Sequence, residues 1–305
     1  MNQLISLSSK IYDVSIYKPK EVRRAIAFIL RSLPYYSTMN RLIDFFHANP
    51  LRQQIFETRP YIIAQATRPF FYFQATYTQR IYLVMDHFAI LDNLFITKGL
   101  SELYLNQGMI LWCDSYQDQT ISIRISFKEA DMKEGLLTLS LHIGEERIYR
   151  SIFWLARNAS DEPFLWIGAL QGPRDGHEIV RSLTKHFFGY RPKNLIIFAI
   201  RALVQNLSLK GIYAVSNHGH YDNNYSSSLI AGHKFKLKTS LDDFWEQTGG
   251  TKCDNPCFYE LPIEEPRKTI EEVVSHKRNL YRKRFTLLDE ITASISKQLA
   301  LYLKK

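Results

Sequence analysis

The polar segment after the apolar run near residue 215 holds the residue types best suited to catalysis. Residues 216–222 read Ser-Asn-His-Gly-His-Tyr-Asp. Residues two apart project to one side of an extended chain, so His218, His220 and Asp222 could converge. A histidine suits general-base catalysis because its unperturbed pKa lies near neutrality. We predict that Asn217 and His220 act at a reacting group and that no metal is bound. The alternative is a loop that only solvates a sheet edge.

A second candidate lies where another apolar run ends, at residues 170–176. A strand-to-helix junction directs free backbone N–H groups and the positive end of the helix dipole at one point, which suits a phosphate. Glycine lets a ligand approach the main chain, and an arginine adds a charge-assisted bond. We predict that Gln171, Gly172 and Arg174 bind an anionic ligand. The alternative is a simple turn, because the segment matches neither the P-loop nor the dinucleotide-binding glycine pattern.

Four more charged residues are weaker candidates. Lys185, Arg191 and Lys193 flank a predicted helix–helix junction and could clamp an anionic group. They could also merely favour the C-terminal dipole of the first helix. Glu246, beside an aromatic pair, could serve in acid–base chemistry only if it is buried near the histidine loop.

The basic excess of the chain is concentrated at its end. The net charge is +9, and residues 266–305 carry ten basic and four acidic side chains. Basic and aromatic residues that contact phosphates and stack on bases favour an anionic partner, either nucleic acid or lipid. The alternative is a solvated helix face that binds an acidic neighbour in the same chain. The candidate residues are Lys277, Arg278, Tyr281, Arg282 and Arg284.

Composition indicates a folded protein of a reducing compartment. The 305 residues are 46% hydrophobic, and no stretch reaches the ~18 apolar residues of a membrane-spanning helix. Residues 1–20 lack the pattern of a secretory signal, and three cysteines argue against a disulfide framework. Cys253 and Cys257, on either side of a turn, are interpreted as ordinary free cysteines. We expect a cytoplasmic protein without a transmembrane segment.

The elements that must position these residues follow from hydrophobic periodicity. Helical spacing predicts helices over 19–33, 39–49 and 79–96 in the first third, and over 176–188 and 192–207 later. Alternation or short apolar runs predict strands over 121–127, 137–143, 147–155, 164–170, 211–215, 234–238 and 257–261. The strand over 121–127 is predicted to be half-buried, with Ser122, Arg124 and Ser126 on its polar side.

The predicted fold class is α/β (α+β), with a mixed, mainly antiparallel sheet and packed helices, preceded by a helical N-terminal region. The predicted regions are helices over 1–115, the mixed α/β domain over 116–265, and a basic amphipathic helix over 266–305 that packs on it. The crossings after Leu170 and Val215 are predicted to leave neighbouring strands and to share one cleft.

Five blocks along the chain resemble the VirK/YbjX family of Gram-negative bacteria. They occur in one order: residues 167–172; 184–185 with 189–193; 214–217 with His220; 244–246 with 249–250; and 277–278 with 281–285. The resemblance implies a role in virulence, in envelope stress responses or in tolerance of cationic antimicrobial peptides. It carries over no catalytic residue, because no reaction or cofactor is settled for the family.

The strand–loop–helix–strand order over 164–217 also looks like an acetyltransferase of the GNAT type, in which such a loop holds the pyrophosphate of coenzyme A. That likeness implies an acyl-CoA-dependent acyltransferase, with Gln171, Gly172 and Arg174 at the carrier. The sequence departs from this pattern because two helices, rather than one, are predicted between the strands.

Overall fold

A computed structural model describes residues 2–15, 17–173, 176–223 and 240–304. Its helices are α1 (Asn2–Ile11), α2 (Pro19–Ser32), α3 (Tyr36–His47), α4 (Pro50–Thr58), α5 (Tyr61–Ala66), α6 (Tyr77–Leu94), α7 (Thr97–Tyr104), α8 (His177–His186), α9 (Pro192–Asn206), α10 (Leu241–Gln247) and α11 (Arg278–Leu299). Its strands are β1 (Met109–Tyr116), β2 (Gln119–Ser126), β3 (Leu137–Ile143), β4 (Glu146–Arg157), β5 (Pro163–Gln171), β6 (Ile212–Val215), β7 (Thr251–Lys252) and β8 (Phe258–Leu261). The predicted strand over 234–238, like Arg174, lies outside these ranges.

The described strands form one sheet in the order β1-β2-β3-β4-β5-β6-β8-β7. Neighbouring strands are antiparallel throughout, except that β5 and β6 are parallel. Antiparallel neighbours can follow one another through short turns, whereas the parallel pair needs a crossover, which α8 and α9 supply. The predicted fold class, a mixed and mainly antiparallel sheet with packed helices after a helical region, is confirmed.

Both faces of the central strands are covered. Ile121, Ile123 and Ile125 on β2 are buried, as the alternating pattern predicts. The polar side of β2 is also largely covered, since Ser122 and Ser126 are buried and Arg124 is partly buried. All of β3 is buried as well. The prediction that β2 is half-buried is therefore wrong, because other parts of the protein, rather than solvent, cover the polar side of this strand.

Helices cover the sheet from several sides. α6 packs on β4, α9 packs on β3 and β4, and α11 packs on α9 and β1. The buried stripe of α11 consists of Leu287, Leu288, Ile291, Ile295 and Leu299. The C-terminal helix is therefore a packed element, although it begins only at Arg278 and not near 266.

One buried histidine joins α6 to the sheet. His87 Nδ1 accepts the backbone N–H of Leu155 at 2.9 Å, so its proton lies on Nε2 and is donated to the Tyr104 hydroxyl. Burial lowers the pKa of His87 to about 3. On β3, burial and then Arg124 lower the pKa of His142 to about 4. Both imidazoles are therefore neutral in the folded protein.

These two histidines predict acid sensitivity. The unfolded chain binds a proton at each near pH 6.5, whereas the folded protein does not, so the free energy of unfolding falls as the pH drops below about 6.5. Between pH 7 and pH 5 we expect the fully buried His87 to remove about 2 kcal/mol, and His142, which solvent partly screens, to remove less, as measured by urea denaturation. His87→Phe should flatten this slope, and the exposed control His276→Gln should not. Equal slopes in all three proteins would contradict the assignment.

Candidate functional site

The loops that follow β5 and β6 leave the same end of the sheet. Trp166 on β5 pairs with Tyr213 on β6 in parallel register, so both strands run toward the same end of the sheet, where β5 continues three residues beyond the end of β6. The prediction that these two crossings leave neighbouring strands is confirmed. In open α/β sheets, ligands bind where parallel strands end and their connections diverge. The candidate site therefore lies at the end of the sheet toward which β5 and β6 both run.

Glu134 links the two loops. This carboxylate is buried and comes from the connection between β2 and β3. Its Oε2 accepts a hydrogen bond from Gln171 Nε2 at 2.6 Å, and its Oε1 lies 3.7 Å from His220 Nε2. Gln171 and His220, predicted as sites from separate motifs, are thus brought to one group that the sequence argument did not single out.

The network continues from Gln171 to a second buried carboxylate. Arg150 donates to Gln171 Oε1, and its Nε lies 3.4 Å from Asp131 Oδ1. Arg147 donates to both oxygens of Asp131, and Thr138 Oγ1 donates to Oδ2 at 3.0 Å. Asp131 is only 4% exposed, so its charge is balanced almost entirely by these groups.

We call the set Asp131, Glu134, Arg147, Arg150, Gln171 and His220 the polar network. Its arginines and acids were missed because they lie in short charged segments, 128–134 and 145–150, that are typical of solvent-exposed turns. A signal was nevertheless present. The β2 and β3 partners Ser122 with His142, Arg124 with Ser140, and Ser126 with Thr138 place polar residues on one shared face. A continuous polar face across two central strands indicates a polar site that other parts of the protein cover, rather than a surface exposed to solvent.

Three close backbone contacts hold the polar network in place. A Cβ atom on Gly168 would lie 1.7 Å from the carbonyl oxygen of Glu134, so only glycine lets this connection pass over β5. Phe71 N donates to Lys133 O at 3.1 Å, and Phe73 N donates to Gly219 O at 2.7 Å. The segment between α5 and α6 therefore lies between the β2–β3 connection and the loop after β6.

His220 is arranged to hold or pass a proton. The backbone N–H of Asp222 points to His220 Nδ1 at 3.4 Å, which makes Nδ1 the acceptor and leaves the proton of the neutral ring on Nε2. That proton faces Glu134. The Asp222 carboxylate lies 3.8 Å from Nδ1, so an imidazolium would have an acid on each side. A histidine placed in this way can take a proton from an acceptor only at Nδ1, in place of its long contact with the Asp222 N–H, and can then share the charge with the two acids.

His218 and Asn217 have other positions. The loop is a turn rather than an extended chain, so His218 is exposed and does not converge with His220 as expected. Asn217 Oδ1 accepts the N–H of Leu241 at 2.8 Å, and its Nδ2 donates to Ser240 Oγ at 3.0 Å. These contacts tie the loop to the start of α10 and give Asn217 a positioning role. A catalytic role for Asn217 stays a prediction.

An acid–base role for Glu246 required this side chain to be buried near the histidine loop, and it is not buried. Its carboxylate is 54% exposed on α10, accepts the Tyr259 hydroxyl at 3.0 Å and lies 3.7 Å from Lys252 Nζ. We therefore correct the expected acid–base role of Glu246 to a surface contact.

The basic residues between α8 and α9 do not join the polar network. Lys185 is at the end of α8, whose ten residues span about 15 Å. Arg191 is exposed, and Lys193 Nζ lies 4.4 Å from the centre of the Phe244 ring. Burial and then Arg191 lower the pKa of Lys193. These residues are thus at the far end of α8 from Gln171, and a joint clamp stays a prediction.

Two of the basic residues predicted on α11 are used inside the protein. Arg284 donates through Nε and Nη2 to Phe188 O, at 3.1 and 2.8 Å. Arg278 Nε donates to Val273 O at 3.0 Å. Lys277 and Arg282 are exposed. The interpretation that this run serves an intramolecular neighbour fits Arg278 and Arg284, although their neighbours are carbonyl oxygens rather than acids.

An aromatic groove lies between α6 and the sheet, with a volume of about 900 Å³. Trp166 and Tyr213 of the parallel pair lie in its wall, with ring centres 4.5 Å apart. Cys253 also lines it, and burial raises the pKa of this free thiol to about 11. Further lining residues are Phe45, Tyr72, Tyr82, Trp154 and Phe258. A groove of this size and lining suits a ligand with an apolar body.

Fold and site together define an α/β protein with a buried polar network at its parallel strand pair. The chain belongs to the family described as "Protein of unknown function (DUF535)", whose pattern matches residues 17–297. It is 28% identical over 272 residues to the protein YbjX of Escherichia coli K12, covering 87% of this chain and 80% of YbjX. The expected membership of the VirK/YbjX family is thereby confirmed.

Two proteins of Haemophilus influenzae are also similar. One is 25% identical over 294 residues, which cover 94% of each chain. The other is 24% identical over 296 residues, which cover 95% of this chain and 94% of the relative. No solved structure matches this chain, so the GNAT likeness has no structural counterpart to support it. None of the described helices is long and apolar enough to cross a membrane.

Proposed function

We propose that this protein is an acyltransferase-like enzyme of the GNAT type that uses an acyl-CoA, and that its reaction takes place where β5 and β6 end. The observation that carries this proposal is the meeting of the Gln171 and His220 loops at Glu134, beside the parallel strand pair. In the proposed reaction, an amine or hydroxyl of the acceptor attacks the thioester carbonyl. The C–S bond breaks, coenzyme A leaves as the thiolate, and the proton of the acceptor passes to the His220–Glu134 pair.

The start of α8 supports a phosphate site. No described side chain caps this helix, and the N–H groups at a helix start are suited to an anion. Gly172 adds no separate support for a phosphate site. A Cβ atom there would lie 2.6 Å from the Tyr149 ring, and that packing alone accounts for the glycine. The wall of the aromatic groove includes Trp166 of β5 and Tyr213 of β6. We infer that this groove would receive the apolar part of the acyl group or of its acceptor.

Thermal unfolding in the presence of coenzyme A and acetyl-CoA tests the binding step. A ligand that binds only the folded state at a hundred times its Kd stabilises by about 2.7 kcal/mol, so the midpoint should rise by several degrees. Inorganic phosphate at the same concentration is the matched control and should produce no comparable rise. Absence of any shift with millimolar coenzyme A and acetyl-CoA would count against the proposal.

A pair of variants separates binding from chemistry. His220→Gln should keep the coenzyme A shift and lose acyl transfer to an amine acceptor, because the proton-accepting nitrogen is replaced while the carrier site is intact. The exposed control His276→Gln should keep both. Full transfer activity in His220→Gln would contradict the assigned role.

We further propose that the protein works in the cytoplasm of a Gram-negative bacterium and supports the envelope under stress, including tolerance of cationic antimicrobial peptides. Membership of the VirK/YbjX family supports this proposal. Deleting the gene should raise peptide sensitivity, and the wild-type gene, but not His220→Gln, should restore tolerance. Unchanged sensitivity and envelope integrity after deletion would contradict it.

A further inference from the structure

The N-terminal region exposes an unusual share of large apolar side chains. Of the thirteen that are exposed in the described residues, seven lie before residue 36. They are Ile5, Val14, Tyr17, Ile26, Leu30, Leu33 and Tyr35. Single exposed apolar residues are ordinary on protein surfaces, whereas a local concentration of them marks an interaction surface.

Three of these side chains form one stripe on α2 and its C-terminal continuation. Ile26, Leu30 and Leu33 are spaced by four and three residues, which places them on one helix face. The face that packs against the protein is a different one, made by Ala25 and Phe28 with Ser32. The apolar spacing that predicts this helix therefore includes residues that face away from the core.

Positive charge surrounds the stripe. Residues 1–35 contain six basic and two acidic side chains, and both acids are paired, Asp13 with Lys18 and Glu21 with Arg24. Lys20 and Arg23 are exposed on the same helix. Arg23 is three residues before Ile26, so it borders the stripe directly.

We propose that α2, with Tyr17 before it and the residues up to Tyr35 after it, is a docking surface for an anionic lipid membrane. An amphipathic helix with an apolar face and flanking cations lies in the interface and is held by apolar burial and attraction to anionic headgroups. Tyr17, 87% exposed at the N-terminal end, and Tyr35 at the other end suit the headgroup level, where tyrosine is enriched. A nucleic acid would use the cations but not exposed leucine and isoleucine side chains.

Sedimentation of the full-length protein with lipid vesicles tests this surface. We expect binding to vesicles rich in phosphatidylglycerol, and much weaker binding to vesicles of phosphatidylcholine alone. Ile26→Ser with Leu30→Ser should weaken binding at least about tenfold, because two apolar side chains no longer enter the lipid. Lys20→Gln with Arg23→Gln should weaken it about tenfold at low salt and less at high salt.

Matched controls come from other exposed sites. Lys128→Gln with Lys210→Gln removes two exposed cations that belong to no candidate site, and Leu301→Ser removes an exposed apolar side chain near the C-terminus. Both should bind vesicles as the wild type does. All replaced residues are exposed, so unchanged thermal midpoints should show that the variants fold.

Three outcomes would overturn the proposal. They are no binding to anionic vesicles, equal loss in the α2 variants and the control variants, and binding that is reduced by the α2 cation pair but not by the apolar pair. The last result, together with loss of binding to single-stranded RNA in the same cation variant, would assign the surface to nucleic acid. None of these outcomes depends on acyl transfer.

Discussion

Replacing Gly168 with alanine is expected to lower the free energy of unfolding by about 3 kcal/mol or more, or to prevent folding. The new methyl carbon would lie 1.7 Å from the Glu134 carbonyl oxygen and 3.1 Å from the Trp154 ring. The first of these is a backbone atom in the connection that carries Glu134 and Asp131. The protein can relieve the clash only by lifting that connection from β5, which separates Glu134 from Gln171.

Gly144→Ala is the matched control for this substitution. Gly144 has a positive φ of 55°, and a Cβ atom there would meet only the end of the Gln119 side chain, at 3.0 Å. The expected cost is about 1 kcal/mol, mainly from the left-handed backbone. Urea denaturation of both variants measures the difference. Equal costs would show that the connection does not pass as close to β5 as the structure places it.

Replacing Asp131 with alanine is expected to cost about 3 kcal/mol. This variant leaves Arg147 and Arg150 without the carboxylate that balances them, and loss of one partner of a buried pair typically costs about 3–5 kcal/mol. The two arginine side chains are 24% and 27% exposed, so water recovers part of that loss. Asp131→Asn, which keeps an acceptor oxygen for Thr138, should cost less.

Glu145→Ala tests the same chemistry at the surface. Glu145 pairs with Arg124, but its side chain is 88% exposed, so its loss should cost far less than the loss of Asp131. The Asp131 effect should also persist at high salt, because salt screens buried pairs less than exposed ones. Similar costs for Asp131→Ala and Glu145→Ala would contradict the view that the polar network depends on a buried acid.

Much of the fold could be predicted because its strands carry clear periodic signals. The alternation over 121–127 and 137–143 and the short runs over 164–170 and 211–215 correspond to β2, β3, β5 and β6. β1 was missed because its sequence, Met-Ile-Leu-Trp-Cys-Asp-Ser-Tyr, mixes apolar and polar residues without alternation. The sheet consequently begins inside the region assigned to the N-terminal helices.

The candidate site could be predicted only in part. Gln171 and His220 stand at the ends of strands, a position that sequence can identify. Glu134 and Asp131 lie in a connection without periodicity, and their importance comes from burial and from partners distant in sequence. The membrane surface was missed for the opposite reason, since an apolar stripe on a helix is ordinarily taken to face the core.

The contacts made by Phe71 and Phe73 affect how the chain can be divided. A fragment that contains the sheet but lacks the preceding helices would also lack the backbone N–H groups of Phe71 and Phe73. These two donors link Lys133 to Gly219 through one short segment. Such a fragment would contain every residue of the polar network and still lack a main-chain bridge between its halves. A truncated protein that fails to bind ligand would therefore say nothing against the assignment, and only the intact polypeptide is a fair subject for assay.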